Sequence, residues 1–114
     1  MRLAFETTPG THELVDAGDV YFLEAEGDET IVRLRRRRRF RTSDRLGDLA
    51  RRLAPAGFLR IHREYVVNLE RVRLVRRRAD GQDWEVRLEP PVNAVLPVSR
   101  GRAGELLARL GMEG

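Results

Sequence analysis

Cysteine and lysine are absent from this chain of 114 residues, aromatic side chains make up 6% of it, and apolar runs never exceed a few residues. Without cysteine there is no disulfide framework, no thiolate zinc site and no thiol nucleophile, and with no signal-peptide pattern the expected compartment is the cytoplasm. A helix that crosses a bilayer needs about 20 apolar residues, so no membrane association is expected. Histidine occurs only at His12 and His62, far apart and without carboxylates at ligand spacing, so neither a metal nor another cofactor is expected. Nucleophile elbows, phosphate-binding loops and dinucleotide glycine patterns are also missing, which argues against an enzyme.

At this length, with 41% hydrophobic residues, the chain suits one domain over residues 1–114 with a modest core. All 22 basic residues are arginine, and the formal net charge is +4. Arginine carries a planar fork of donors that fits phosphate and guanine edges, whereas lysine is a point charge. A GC-rich genome would also replace lysine throughout, so clustering is the better signal. Arg35 to Arg39 are consecutive, and Arg71, Arg73, Arg76, Arg77 and Arg78 crowd a second stretch.

Most segments have the two-residue period of strands. Trp84, Val86 and Leu88 alternate with Glu85, Arg87 and Glu89, and Val72 and Leu74 alternate with Arg71 and Arg73. These predict a hairpin closed by Ala79-Asp80-Gly81-Gln82. Val20 to Ala25 reads as a buried strand paired with Ile31 to Leu34 across Glu26-Gly27-Asp28-Glu29, and Arg38 to Thr42 returns from a turn inside the arginine run. Shorter strands are expected at Leu3 to Glu6 and His12 to Val15, and a late one at Val92 to Val98, where Pro97 requires an edge. Helical period appears at Leu46, Leu49, Ala50 and Leu53, with Ser43 as N-cap and Pro55 and Gly57 as the stop. It recurs at Ala103, Leu106, Leu107 and Leu110, with Ser99 as a possible cap. The fold class is therefore mainly β, with small stacked antiparallel sheets and one or two short helices.

Two segments break the alternation by placing basic residues among apolar ones. They are Gly57-Phe58-Leu59-Arg60-Ile61-His62-Arg63-Glu64-Tyr65-Val66-Val67-Asn68-Leu69 and Leu96-Pro97-Val98-Ser99-Arg100. Together with Asp19-Val20-Tyr21-Phe22-Leu23-Glu24-Ala25 and the Leu46 to Leu53 helix, they resemble the signature of the LytTR-type DNA-binding domain over about residues 14 to 110, in the same order and spacing. The resemblance implies a bacterial transcription regulator that binds double-stranded DNA by loops in successive major grooves, at paired direct repeats. It further implies a second copy on the adjacent repeat and an N-terminal or separate signalling domain.

Carried over by position, the DNA-contacting residues are Asp28, Glu29 and Thr30 in the first loop, Arg63 and Glu64 in the second, and Arg100 in the third. Arg63 and Arg100 each follow an apolar stretch that fixes the backbone, and a bidentate pair with guanine discriminates by about 1–3 kcal/mol. The competing reading of Arg63 is a surface ion pair with Glu64 or Glu70. Arg102 is a phosphate candidate, and Arg60 reads equally as a phosphate contact or a solvated side chain. His62 and Asn68 read as framework, His62 orienting the loop and Asn68 bonding backbone at a turn. Glu64 departs from the small hydroxyl residue common at its position, and the hairpin turn near Arg36-Arg37 lacks Asp-Gly.

Two other functions use the same composition. An RNA-binding or ribosome-associated module would need exposed aromatics for stacking, but Tyr21, Phe22, Phe58, Tyr65 and Trp84 sit in core-like patterns. A protein-interaction domain with merely solubilising arginines would retain no duplex at low salt.

Overall fold

Alternating apolar residues build strands that stack in three sheets, with two helices closing the faces (a computed structural model describing residues 1–79, 81 and 83–112). A hairpin of β1 (Arg2–Thr8) and β2 (Thr11–Asp16) turns at Gly10, whose φ of 80° is readily open only to glycine. The central sheet has the order β5-β4-β3-β7-β6, from β3 (Val20–Glu26), β4 (Glu29–Leu34), β5 (Arg39–Thr42), β6 (Phe58–His62) and β7 (Tyr65–Asn68). The third sheet, ordered β10-β9-β8, contains β8 (Val72–Arg77), β9 (Trp84–Leu88) and β10 (Val95–Val98). Helix α1 (Leu46–Leu53) lies between β5 and β6, and α2 (Arg100–Arg109) follows β10. Every strand pairing is antiparallel.

Strands β3, β6 and β7 are buried on both faces, which is why Val20 to Leu23 reads as a continuous apolar run. One core gathers Phe5, Val20, Leu23, Val32, Phe58 and Val66 under the first hairpin and Leu46, Leu49 and Leu53 of α1. The other gathers Phe22, Leu59, Ile61 and Val67 against Val86, Leu88, Leu96 and Leu106. An irregularity in the β3–β4 register between Val20 and Phe22 lets Tyr21 and Phe22 face the same core. The Tyr21 hydroxyl donates to the Pro90 carbonyl at 3.0 Å, so its polar end is satisfied.

Asn68 joins the layers. Its side-chain oxygen accepts the Glu70 N–H at 3.1 Å, and its amide donates to the carbonyls of Ala17 at 3.1 Å and Val20 at 3.0 Å. It is 2% exposed, and the link pins the β7–β8 connection to the β2–β3 connection.

Two expectations change, and one holds. Ser43 does not cap α1: Arg45 occupies that position, and the Ser43 hydroxyl instead donates to Glu6 on β1, which the first hairpin lays across the approach to the helix. The late strand is only Val95–Val98, because a turn after Pro90-Pro91 with Asn93 at φ 53° delays it. Helix α2 begins at Arg100 itself, directly behind Ser99 at the N-cap position. Pro97 sits on β10, an edge strand, as its missing N–H requires. The expected hairpin turn includes Asp80 and Gln82, which lie outside the described residues.

Candidate nucleic-acid interface

Antiparallel pairing brings the three expected loops to one end of the central sheet. Glu24 of β3 pairs with Tyr65 of β7, so the β3–β4 turn at Gly27-Asp28 and the β6–β7 turn at Arg63-Glu64 are neighbours. The Ala25 N–H donates to the Glu64 carbonyl at 2.9 Å. The Ser99 N–H donates to the Ile61 carbonyl at 2.9 Å, which sets the start of α2 beside the end of β6.

The second turn is braced from both sides. The His62 Nδ1 accepts the Glu64 N–H at 3.1 Å, which leaves the ring proton of the neutral imidazole on Nε2. The Arg60 guanidinium donates to the Arg63 carbonyl and, through Nε at 3.4 Å, to the His62 carbonyl. Arg60 therefore leans along the strand and braces the turn with its guanidinium. Arg63 and Glu64 are exposed at the tip. Tyr65 beneath them packs edge-on to Phe22, and burial first, then Glu24 and Glu64, raise its phenol pKa above the ordinary value.

A cleft of about 470 Å³ separates the turns from α1, with Arg45, Gly47, Arg60 and Arg63 on its walls and Asp48 and Glu64 as carboxylates. A second, of about 340 Å³, continues between α1 and α2 with Arg51, Arg60, Arg102 and Arg109, and with Glu105 as a carboxylate. Gly47 and Arg60 belong to both, so one basic groove runs along α1. Burial, followed by the charges of Arg102 and Arg51, lowers the pKa of Arg60 below its ordinary value.

The acidic turn carries its own cations. Asp28 pairs with Arg45 at 3.4 Å, and Glu29 with Arg41 at 3.7 Å, while Arg41 also bonds Glu26. Thr30 departs from expectation: it is fully buried and its hydroxyl donates to the Asp44 carbonyl at 2.7 Å, so its side chain cannot meet a duplex and instead anchors the turn. Arg100 is exposed and its Nε donates to Asp83 at 2.9 Å, across from the β8–β9 hairpin. Arg102 is half-buried in the groove. Arg41, Arg45 and Arg51 escaped the sequence reading because their roles depend on partners from other elements. For Arg45 and Arg51 the hint was their placement at the start and on the polar side of α1, whereas Arg41 lies on β5.

The family model of the LytTr DNA-binding domain matches residues 11–111. The chain belongs to the LytTR family of DNA-binding domains. This LytTR domain is accordingly a DNA-binding domain. Its fold is similar to that of the LytTr DNA-binding domain of a Bacillus cereus protein, with a TM-score of 0.77 over 97% of each chain at 20% identity, a likeness of fold alone. Over 71 residues, 62% of its length, it is 42% identical to the CO-responsive transcriptional regulator RcoM of Rhodospirillum rubrum. The LytTR domain spans 30% of that regulator's length. Among the described residues, no helix is long and apolar enough to cross a membrane.

Proposed function

We propose that this domain reads double-stranded DNA sequence-specifically through three turns at one end of the central sheet, acting in the cytoplasm. Arg63 and Arg100 present guanidinium forks toward O6 and N7 of guanine. Arg102, with Arg51 in the same groove, holds the phosphate backbone. Asp28 and Glu29 flank the reading edge, and Arg60 positions the Arg63 turn. The observation that carries this reading is the convergence of the Gly27-Asp28 turn, the Arg63-Glu64 turn and the Arg100 helix start around the end of β6.

At paired direct repeats, each repeat takes one copy of the domain. Such a domain is informed by a signalling domain, either N-terminal to it or separate. The resemblance to a regulator named for its response to CO supports that division of labour without naming the signal here.

Selection from a random duplex pool tests the mode: paired repeats about one helical turn, or 34–36 Å, apart are expected. Arg63→Ala and Arg100→Ala should each cost about 1–3 kcal/mol on the selected sequence and far less on random duplex. Equal losses on both duplexes would reduce these residues to phosphate anchors. The RNA reading gains nothing from the aromatics: Tyr21, Phe22 and Phe58 are buried, and Trp84 lies under the Arg77 guanidinium at 4.8 Å.

A further inference from the structure

A second arginine surface lies at the opposite end of the central sheet. The β4–β5 connection is Arg35–Arg37, closed by the Arg38 N–H on the Arg35 carbonyl at 3.3 Å. Two of its residues, Arg36 and Arg37, adopt left-handed backbone with φ 63° and 62°. Glycine or asparagine normally fills such positions in a hairpin, because a side chain there is strained. Both arginines are exposed, so the core does not require them. Arg33 and Arg39 face each other across the strands, and like charges placed so repel. Against these arginines the structure sets Asp19, 3.5 Å from Arg35, and Glu13, 3.7 Å from Arg38. The turn thus accepts strained backbone and crowded positive charge, and a cleft of about 410 Å³ opens between Arg35, Arg36, Arg38 and Asp19.

Strain and unbalanced charge held together on a surface are resolved by an anion. The reading turns lie one full strand away, because β4 runs six residues from Glu29 to Leu34, about 20 Å at roughly 3.4 Å per residue. A straight duplex that crosses those turns at right angles to β4 does not reach the arginine turn. We propose that the β4–β5 turn is a second, sequence-independent DNA-binding surface that grips the phosphate backbone of another duplex segment, so that one domain bridges two stretches of DNA. Guanidinium forks match phosphate oxygens bidentately, and a DNA-binding domain works amid a high local concentration of duplex. The bridging step rests on the placement of the reading turns given above, whereas phosphate binding by the arginine turn does not.

The Arg36→Gly/Arg37→Gly double variant tests this without endangering the fold, since glycine adopts both left-handed positions freely. The full chain is saturated with an immobilised duplex of the selected sequence, and retention of a labelled random duplex is measured at low salt. Wild type should retain the second duplex, and the double variant should retain it at least tenfold less while holding the first duplex unchanged. In parallel, an Arg63→Ala/Arg100→Ala protein should keep weak random-duplex binding whose log-log salt slope falls by about 2 when the glycines are added, from roughly 0.9 per phosphate contact. That arm works even if the reading turns are wrongly placed. No second-duplex retention by wild type, or equal retention by the glycine variant, overturns bridging. An unchanged salt slope overturns the phosphate site. Displacement of labelled duplex by polyglutamate as effectively as by unlabelled duplex overturns it too, in favour of a carboxylate-rich protein partner.

Discussion

Replacing Asn68 by alanine removes three hydrogen bonds at once, and the structure sets the size of the loss. The Glu70 N–H and the carbonyls of Ala17 and Val20 lose their partner, and the bond to Val20 is buried. A typical bond contributes about 1 kcal/mol net, and a buried group left unpaired costs about 1–3 kcal/mol. The total is about 3–4 kcal/mol, a large share of the roughly 5–15 kcal/mol that stabilises a domain. At about 4 °C per kcal/mol for a chain of this size, the melting temperature should fall by more than 10 °C. Urea unfolding followed by circular dichroism measures it, as a lower midpoint with an unchanged slope. Asn68→Asp keeps the acceptor for Glu70 but turns a carboxylate toward two carbonyls, so it should be no more stable than the alanine variant. A loss below about 1 kcal/mol for alanine, too small for even one unpaired buried group, would refute the assignment of Asn68 as the tie between layers.

At the arginine turn, Arg36→Gly should raise stability by about 0.5–1 kcal/mol, since the relief of left-handed strain exceeds the added chain entropy; a lower urea midpoint would contradict that. Glu64→Gln removes a carboxylate from the reading tip and should tighten binding to random duplex at low salt; weaker binding confined to the selected sequence would instead mark Glu64 as an acceptor from cytosine N4. Tyr65 has a folded pKa raised above that of the unfolded chain, so its contribution is fully present below the unfolded value of about 10 and is lost as pH rises through the folded one. Stability should therefore fall above about pH 10, and phenolate absorbance of the Glu64→Gln protein should show Tyr65 ionising earlier than in wild type.

Much of the architecture was legible because its causes are local. Period-two alternation marks β8 and β9, the apolar run Val20 to Leu23 marks a strand buried on both faces, and Pro55 with Gly57 ends α1 at the expected place. What could not be read depends on segments meeting across the fold. Ser43 suits an N-cap by local rules, yet the arrival of β1 gives its hydroxyl a different partner. Thr30 falls in a turn that resembles a DNA-contacting loop, but its side chain faces inward because β5 and Asp44 cover it. The brace from Arg60 to the Arg63 turn depends on an irregularity in the β6–β7 register between Arg60 and His62, which nothing in the local sequence announces.

The ion pairs of the acidic turn alter what a salt titration of this protein reports. Arg41 and Arg45 already hold Glu29 and Asp28 as counterions, so if DNA phosphates competed for these guanidiniums the freed carboxylates would recruit cations from solution. Cation uptake by the protein would then subtract from cation release by the duplex, and the measured slope would count fewer phosphates than the interface contains. Asp28→Asn, by removing that exchange, would steepen the salt dependence without adding a single contact to DNA.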